Sequence, residues 1–499
     1  MQHELFNAIR NTCILCGLSC LLAVPIGAFL AILLVRTDVR GRTFAWLAIG
    51  SQLTLPLYVF AGGWSAAMGT QGWARVFGPN LLPAPSSLSN LLAVAIVHGL
   101  AAIPWVCLIL SLGLLWTDRG EEETARIEGG TAQLLRFVVL ARLRVWFAAS
   151  CLWCCFSILT EMVVSNLYQV TSVAEQIYLD ASRGSLSPLT YLAAAFLCVL
   201  PILGTGIGWF YCAPPWQAVI ARVARFKPPP IPLGRWRLVT TLAVQALVLG
   251  LVAIPLASLL TKAGWRPYVD PSGATRFGWS WERLTTTLVE STTLFRQEFY
   301  WSITLALAST IVAGAVVGLL LCVSSRRGYR AGLSLLMLFP LAIPGPLAGI
   351  IVIWCLNRST PAWLGELYDH TLAAPILAQQ FRLLPLAWLL ALTVLASIER
   401  GTWEQWKLDG GRRWHAFRYV VFPQVGQHGF VAAMLLFVFS LGELSSSILV
   451  LPPGVTTISM RLFEMLHFGM RHQDSGLCIL LMLIGWLFSA ACWKTLSER

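Results

Sequence analysis

Charge is what this 499-residue sequence has least of: 12% of it is Asp, Glu, Lys or Arg, against 57% hydrophobic residues and a mean hydropathy of +0.71. A soluble domain of that composition would expose large apolar patches, so that class is excluded. Lysine is scarcer still. None of the four, Lys227, Lys262, Lys407 and Lys494, follows a glycine, which excludes ATP hydrolysis by a P-loop and leaves no enzymatic activity to assign. Metal-ligand spacing is lacking as well: Cys13 and Cys16 form a C-x-x-C, but no second pair follows. Most of the thirteen cysteines lie inside apolar runs, where they act as small hydrophobes, so neither a metal nor another cofactor is expected. The two-residue alternation of a membrane barrel is absent too. The net charge of +12 does not point to nucleic acid, because the basic residues sit in short segments between apolar runs. The expected neighbour is a lipid bilayer.

What is present is apolar runs of about 20 residues, long enough to cross a bilayer as helices. They lie near 12–35, 44–68, 90–116, 145–164, 190–212, 237–261, 299–323, 332–356, 376–397, 428–451 and 476–493. The expected fold is an all-α polytopic membrane protein with about 11 transmembrane helices. The first run is too long for a signal-peptide core and lacks a basic segment before it, so it reads as a retained span. Segments that would share one side carry 23 of the 35 Lys and Arg residues. That side is the cytoplasm, which puts the N-terminus outside and the C-terminus inside, in a cell inner (cytoplasmic) membrane.

The basic, Pro-rich run "RVARFKPPPIPLGRWR" divides the chain near its middle and reads as a semi-extended linker. Residues 1–212 form one unit, 213–236 the linker and 237–499 a second unit. The units match: Glu123 and Glu404 are 281 residues apart, as are Gly129 and Gly410, and Glu161 lies 282 before Glu443. The expected organisation is two parallel repeats of five and six spans.

Two polar inserts interrupt the spans, "EEETARIEGGTAQLLRF" at 121–137 and "EQWKLDGGRRWHAFRYVVFP" at 404–423. Each reads as a helix, a sharp break at Gly-Gly and a second helix, with Glu122 and Arg126 supporting the first as an i,i+4 pair. Periodicity alone allows either a helix resting on lipid headgroups or a docking element.

The pattern E-x-A-x-x-x-G, followed by a helix and an apolar pair closed by Pro, is similar to the cytoplasmic EAA loop of permease subunits of binding-protein-dependent ABC importers. The first insert keeps Glu123, Ala125 and Gly129 but has Arg142 where the family usually has Pro. The second keeps Glu404, Asp409, Gly410, Phe417, Val420 and Pro423, with Gln405 and Trp406 in place of two alanines. Within the fused two-copy form, "TEMVVSNLYQVTSVAEQIYL" and "LGELSSSILVLPPGVTTIS" look like the ferric-iron transport branch. The resemblance implies two copies of a cytoplasmic ABC ATPase that receive the inserts, and a separate periplasmic or extracellular substrate-binding protein. Sulfate, thiamine, polyamine and phosphonate importers use related permeases. A secondary transporter without an ATPase would explain the repeat and the kinks but not the paired inserts.

Inside the spans, Glu161 and Glu443 hold matching places, and a carboxylate there lines a wet pathway or braces neighbouring helices. His98 reads as a packing histidine. Pro25, Pro56, Pro104, Pro340, Pro344 and Pro346 interrupt spans, and "FPLAIPGPLAGI" at 339–350 is expected to bend its helix.

Overall fold

The computed structural model describes residues 2–68, 86–115, 119–133, 140–184, 188–196, 230–269, 275–323, 327–358, 360–396, 422–468 and 472–497, with residues 199, 203, 204 and 418 besides. The span expected at 190–212, most of the linker and the second insert fall largely outside them.

The chain is an all-α, polytopic membrane protein. Its first long helix, α1 (Gln2–Arg36), is followed by α2 (Arg42–Leu53) and α3 (Leu57–Met68), then α4 (Ser87–Leu115), α5 (Arg119–Gln133), α6 (Leu140–Thr160), α7 (Val163–Leu167) and α8 (Val173–Ser182). Then α9 (Arg237–Gly264) leads into a hairpin of β1 (Trp265–Val269) and β2 (Thr275–Trp279), and α10 (Trp281–Leu294). The second run is α11 (Arg296–Val323), α12 (Arg327–Leu336), α13 (Leu338–Ala342), α14 (Gly345–Leu356), α15 (Trp363–His370), α16 (Ala373–Ala396), α17 (Phe422–Leu441), α18 (Ile458–Phe468) and α19 (Gln473–Ser497). Among the described residues seven helices are long and apolar enough to cross a membrane, or up to nine if each of two bent pairs is one span.

Both bends have a local cause. Between α2 and α3 the chain turns by 105° at Thr54-Leu55-Pro56, and between α13 and α14 the direction changes by 99° at Ile343-Pro344. Proline lacks the N–H that would continue the helix and pushes the preceding residue out of helical geometry. The apolar runs at 44–68 and 332–356 are therefore broken rather than straight. The run at 428–451 also stops early. α17 ends at Leu441, where Gly442 and the polar Glu443-Leu444-Ser445-Ser446-Ser447 follow, and the segment continues as turns. The hairpin and α10 occupy most of the segment 262–298, which had shown only as a long connection between spans.

Where lipid replaces water, helices gain little from burying apolar surface and associate by close packing of small residues. The α1–α4 seam follows that rule. A Cβ on Gly27 would lie 2.6 Å from Val106 Cγ1, and one on Gly99 2.8 Å from Leu22 Cδ2. Ala23, Ala28, Ala31, Ala45 and Ala48 belong to the same buried cluster, which joins α1, α2, α4, α6 and α9.

α1, the bent α2–α3 pair, α4, α6 and α8 can be set in order against α11, the bent α12–α14 unit, α16, α17 and α18, with α5, α7 and α15 left unmatched among the described residues. In this correspondence α9, the hairpin and α10 precede the second run and have no counterpart among the described residues of the first. α9 crosses back onto the first run: a Cβ on Gly63 of α3 would lie 2.7 Å from Pro255 Cβ.

Gly345, the first residue of α14, sits against the turn after Glu443. A Cβ there would lie 2.4 Å from Ser445 Cβ and 2.7 Å from its carbonyl carbon. Main chain cannot move aside as a side-chain tip can. Gly345→Ala is expected to cost about 1–3 kcal/mol, seen as a lower melting temperature in detergent. Gly314→Ala, with nothing within 4 Å, serves as the neutral comparison.

Candidate functional site: a cavity between the two helical runs

Two helix ends create the site. α6 stops at Thr160, and the next residue, Glu161, turns its carboxylate onto the following helix: Oε1 accepts the Val163 N–H at 2.6 Å and Oε2 the Val164 N–H at 3.1 Å. In the second run Glu443, two residues past α17, accepts the Ser446 N–H at 2.9 Å through Oε1. Each acid thus satisfies donors that a broken helix leaves open in a medium without water. Both also line one cavity of about 240 Å³. Bracing and lining, separate alternatives in the sequence, occur together here.

Each acid has a basic neighbour from its own run. His98 of α4 places Nε2 3.8 Å from Glu161 Oε2, and Arg382 of α16 places Nε 3.4 Å from Glu443 Oε2. Nη2 of Arg382 also donates to the main-chain carbonyl of Thr160, in the other run. His98 is buried, as a packing histidine would be, yet Nε2 has no hydrogen-bond partner among the described residues and the ring lines the cavity.

The remaining walls mix polar and aromatic groups. Gln52, at the end of α2, has both amide atoms buried without a hydrogen-bond partner among the described residues, which leaves them for water or a small molecule in the cavity. Towards the end of α4 that leads into α5, Trp105 lies 4.8 Å from Trp153 and 5.7 Å from Phe439, ring centre to ring centre. Among the described residues no group of three or more His, Cys, Asp or Glu could hold a metal ion.

The first insert forms α5, with a break at Gly130, where φ is 69° and ψ −161°. Only glycine adopts that geometry without strain. Glu122 is buried and bonds Arg36 Nη1, at the end of α1, at 2.7 Å; Arg36 is itself fully buried. Ala125 packs into the core that α1 shares with α4. Glu123, Ile127, Glu128 and Gly129 are exposed on the outer side of the helix. Glu122 thus has a longer-range ion pair to α1, while the side chain of Arg126, its expected i,i+4 partner, lies outside the described residues. Glu404, Asp409, Gly410 and Phe417 of the second insert lie outside the described residues, while Pro423 stands in the first turn of α17.

Arg382, Gln52, Trp105 and Arg36 were not singled out from the sequence. Arg382 carried a usable signal, since it is a cation inside an otherwise apolar run. Gln52 and Trp105 carried none, because neither type is unusual in a membrane helix.

Removing one partner of a buried ion pair strands the other charge. Arg36→Ala and Glu122→Ala are each expected to cost about 3–5 kcal/mol, whereas the apolar double variant Arg36→Met/Glu122→Leu should recover most of it. Apparent melting temperatures of the three variants in detergent check this.

No curated protein matches the chain. Residues 310–497, from within α11 to the end of α19, match the family described as "Binding-protein-dependent transport system inner membrane component". The second run is accordingly similar to a multi-pass permease subunit of binding-protein-dependent transport systems, a non-enzymatic membrane component that works with an ATPase and a substrate-binding protein.

Proposed function

We propose that the whole chain is the permease of an ABC importer, with both helical runs acting as its two halves. The observation that carries this reading is the recurrence of one element order in the two runs, the second of which matches the permease family. Residues 1–212 and 237–499 are then the two permease repeats, and both inserts face the cytoplasm. α5 would enter a cleft of a cytoplasmic ATPase with Glu123, Ala125 and Gly129 shaping the turn, and Glu404, Asp409, Gly410, Phe417 and Pro423 would do the same for a second copy. The exposure of Glu123 and Gly129 beside the buried, ion-paired Glu122 supports this division: one side of α5 is held by the permease while the other faces outward.

Closure of the two ATPases on ATP would bring the inserts together and rock the halves about the cavity. Cargo would pass between Glu161 and Glu443. Ferric iron is the cargo proposed, on the resemblance of the segments around these two residues to the iron branch; the two carboxylates suit a cation, and the lack of a described metal-binding cluster suits passage without tight coordination.

Weighing the intact complex, purified from native membranes in mild detergent, tests the assembly. Two P-loop ATPase copies per chain are expected, lost when Gly129 and Gly410 are both replaced by Trp. A chain that purifies alone and transports on an ion gradient would overturn the reading.

Glu161→Gln/Glu443→Gln removes the charge while leaving each side chain one acceptor oxygen, enough for the Ser446 N–H and for one of the two N–H groups that Glu161 holds. Iron uptake by cells is expected to fall at least about tenfold with the complex intact. Unchanged uptake would remove both residues from the pathway.

A further inference from the structure

The two runs differ at one point where their correspondence is otherwise close. His98 and Arg382 are 284 residues apart, within the 281 to 286 that separate the ends of α4 and α16, and each faces the acid of its own run. Ser172 and Thr457 likewise correspond, each accepting the N–H three residues on, from Glu175 and Met460. That register puts Ala174 opposite Ser459.

The consequence lies at the carbonyls that end α6 and α17. In the second run the Leu441 carbonyl accepts the Ser459 hydroxyl at 2.7 Å, a bond within that run. In the first run alanine stands where that serine would be, and the Thr160 carbonyl accepts instead from Arg382 of the opposite run. A guanidinium at a helix C-terminus gains from the dipole as well as from the hydrogen bond, and its planar fork can serve Glu443 and Thr160 together.

We propose that Arg382 is a one-sided latch across the cavity. It is a positioning residue that holds the two halves together by bonding the end of α6, and its release from Thr160 accompanies opening of the cavity. The inference rests on the transporter reading only in requiring that the cavity open. The absence of a hydroxyl at Ala174 makes the latch necessary, because it leaves the carbonyl without the local donor that its counterpart has.

The test uses the full chain in lipid nanodiscs, without ATPase, binding protein or cargo, so its failure is separate from failure of the importer reading. Ala101 lines the cavity and tolerates Cys by size. The quantity measured is the rate at which Ala101→Cys reacts with a charged, water-soluble methanethiosulfonate, read from the mass of the peptide that carries position 101. Adding Arg382→Gln is expected to raise that rate about 10-fold or more, and Arg382→Lys by less. Ala174→Ser, added to Arg382→Gln, should raise the rate no further, because both changes act on the one bond across the cavity, whereas general loosening of the fold by each would add. Unchanged reactivity in Arg382→Gln, or a further rise on adding Ala174→Ser, overturns the latch. If Arg382→Gln fails to fold, Ala174→Ser alone decides: competition for the Thr160 carbonyl should raise the rate several-fold, and an unchanged rate overturns the proposal.

Discussion

In hydrocarbon every main-chain N–H and C=O must find a partner inside the protein, and most of what distinguishes this chain follows from where its helices break that rule. A straight apolar helix satisfies itself. The breaks after Leu53, Thr160, Leu441 and Ala342 do not, and they gather around one cavity. There the chain spends its few charged and hydroxyl groups: Glu161 and Glu443 on freed N–H groups, Ser459 and Arg382 on freed carbonyls, and Thr54, whose hydroxyl donates to Ser51 and Gly485 carbonyls at 2.8 and 3.2 Å.

The same constraint explains why bracing a broken helix and lining the cavity go together in the glutamates. A carboxylate that accepts main-chain N–H groups is held in place by them, and the same side chain lines the cavity. His98 and Arg382 set the runs apart: a guanidinium lies beside Glu443 and an imidazole beside Glu161. The cavity is therefore asymmetric although the helices around it are arranged alike.

The sequence disclosed the fold class and two bends, because both rest on local chemistry: run length for the spans, and Pro56 and Pro344 for the bends; Pro25 and Pro104, also expected to interrupt spans, lie inside the continuous helices α1 and α4. It also placed Glu161 and Glu443, because an acid in an apolar run is conspicuous. What it could not disclose depends on partners distant along the chain. Arg36 reads as an ordinary basic residue at the end of a span, until α5 brings Glu122 to it from 86 residues away. The end of the run at 428–451 was hidden because Leu444, Ile448, Leu449, Val450 and Leu451 keep the hydropathy high after the helix has stopped. Hydropathy measures what a segment prefers to touch, and turns packed against protein can be as apolar as a helix in lipid.

Arg36 and Arg382 mark the two ends of one mechanical line. Arg36 ties α5 to the end of α1; α1 packs along the length of α4; α4 carries His98 and Trp105 into the cavity; and the first run meets Arg382 through Thr160. Both arginine contacts are charge-assisted and directional, whereas the packing between them consists of Gly and Ala seams that admit little sliding. Force applied to the exposed side of α5 would therefore reach the cavity as movement of the α1–α4 pair as a body. The hydrogen bond from Arg382 to Thr160 differs from the rest of that line in crossing between the two runs instead of lying within a packed core.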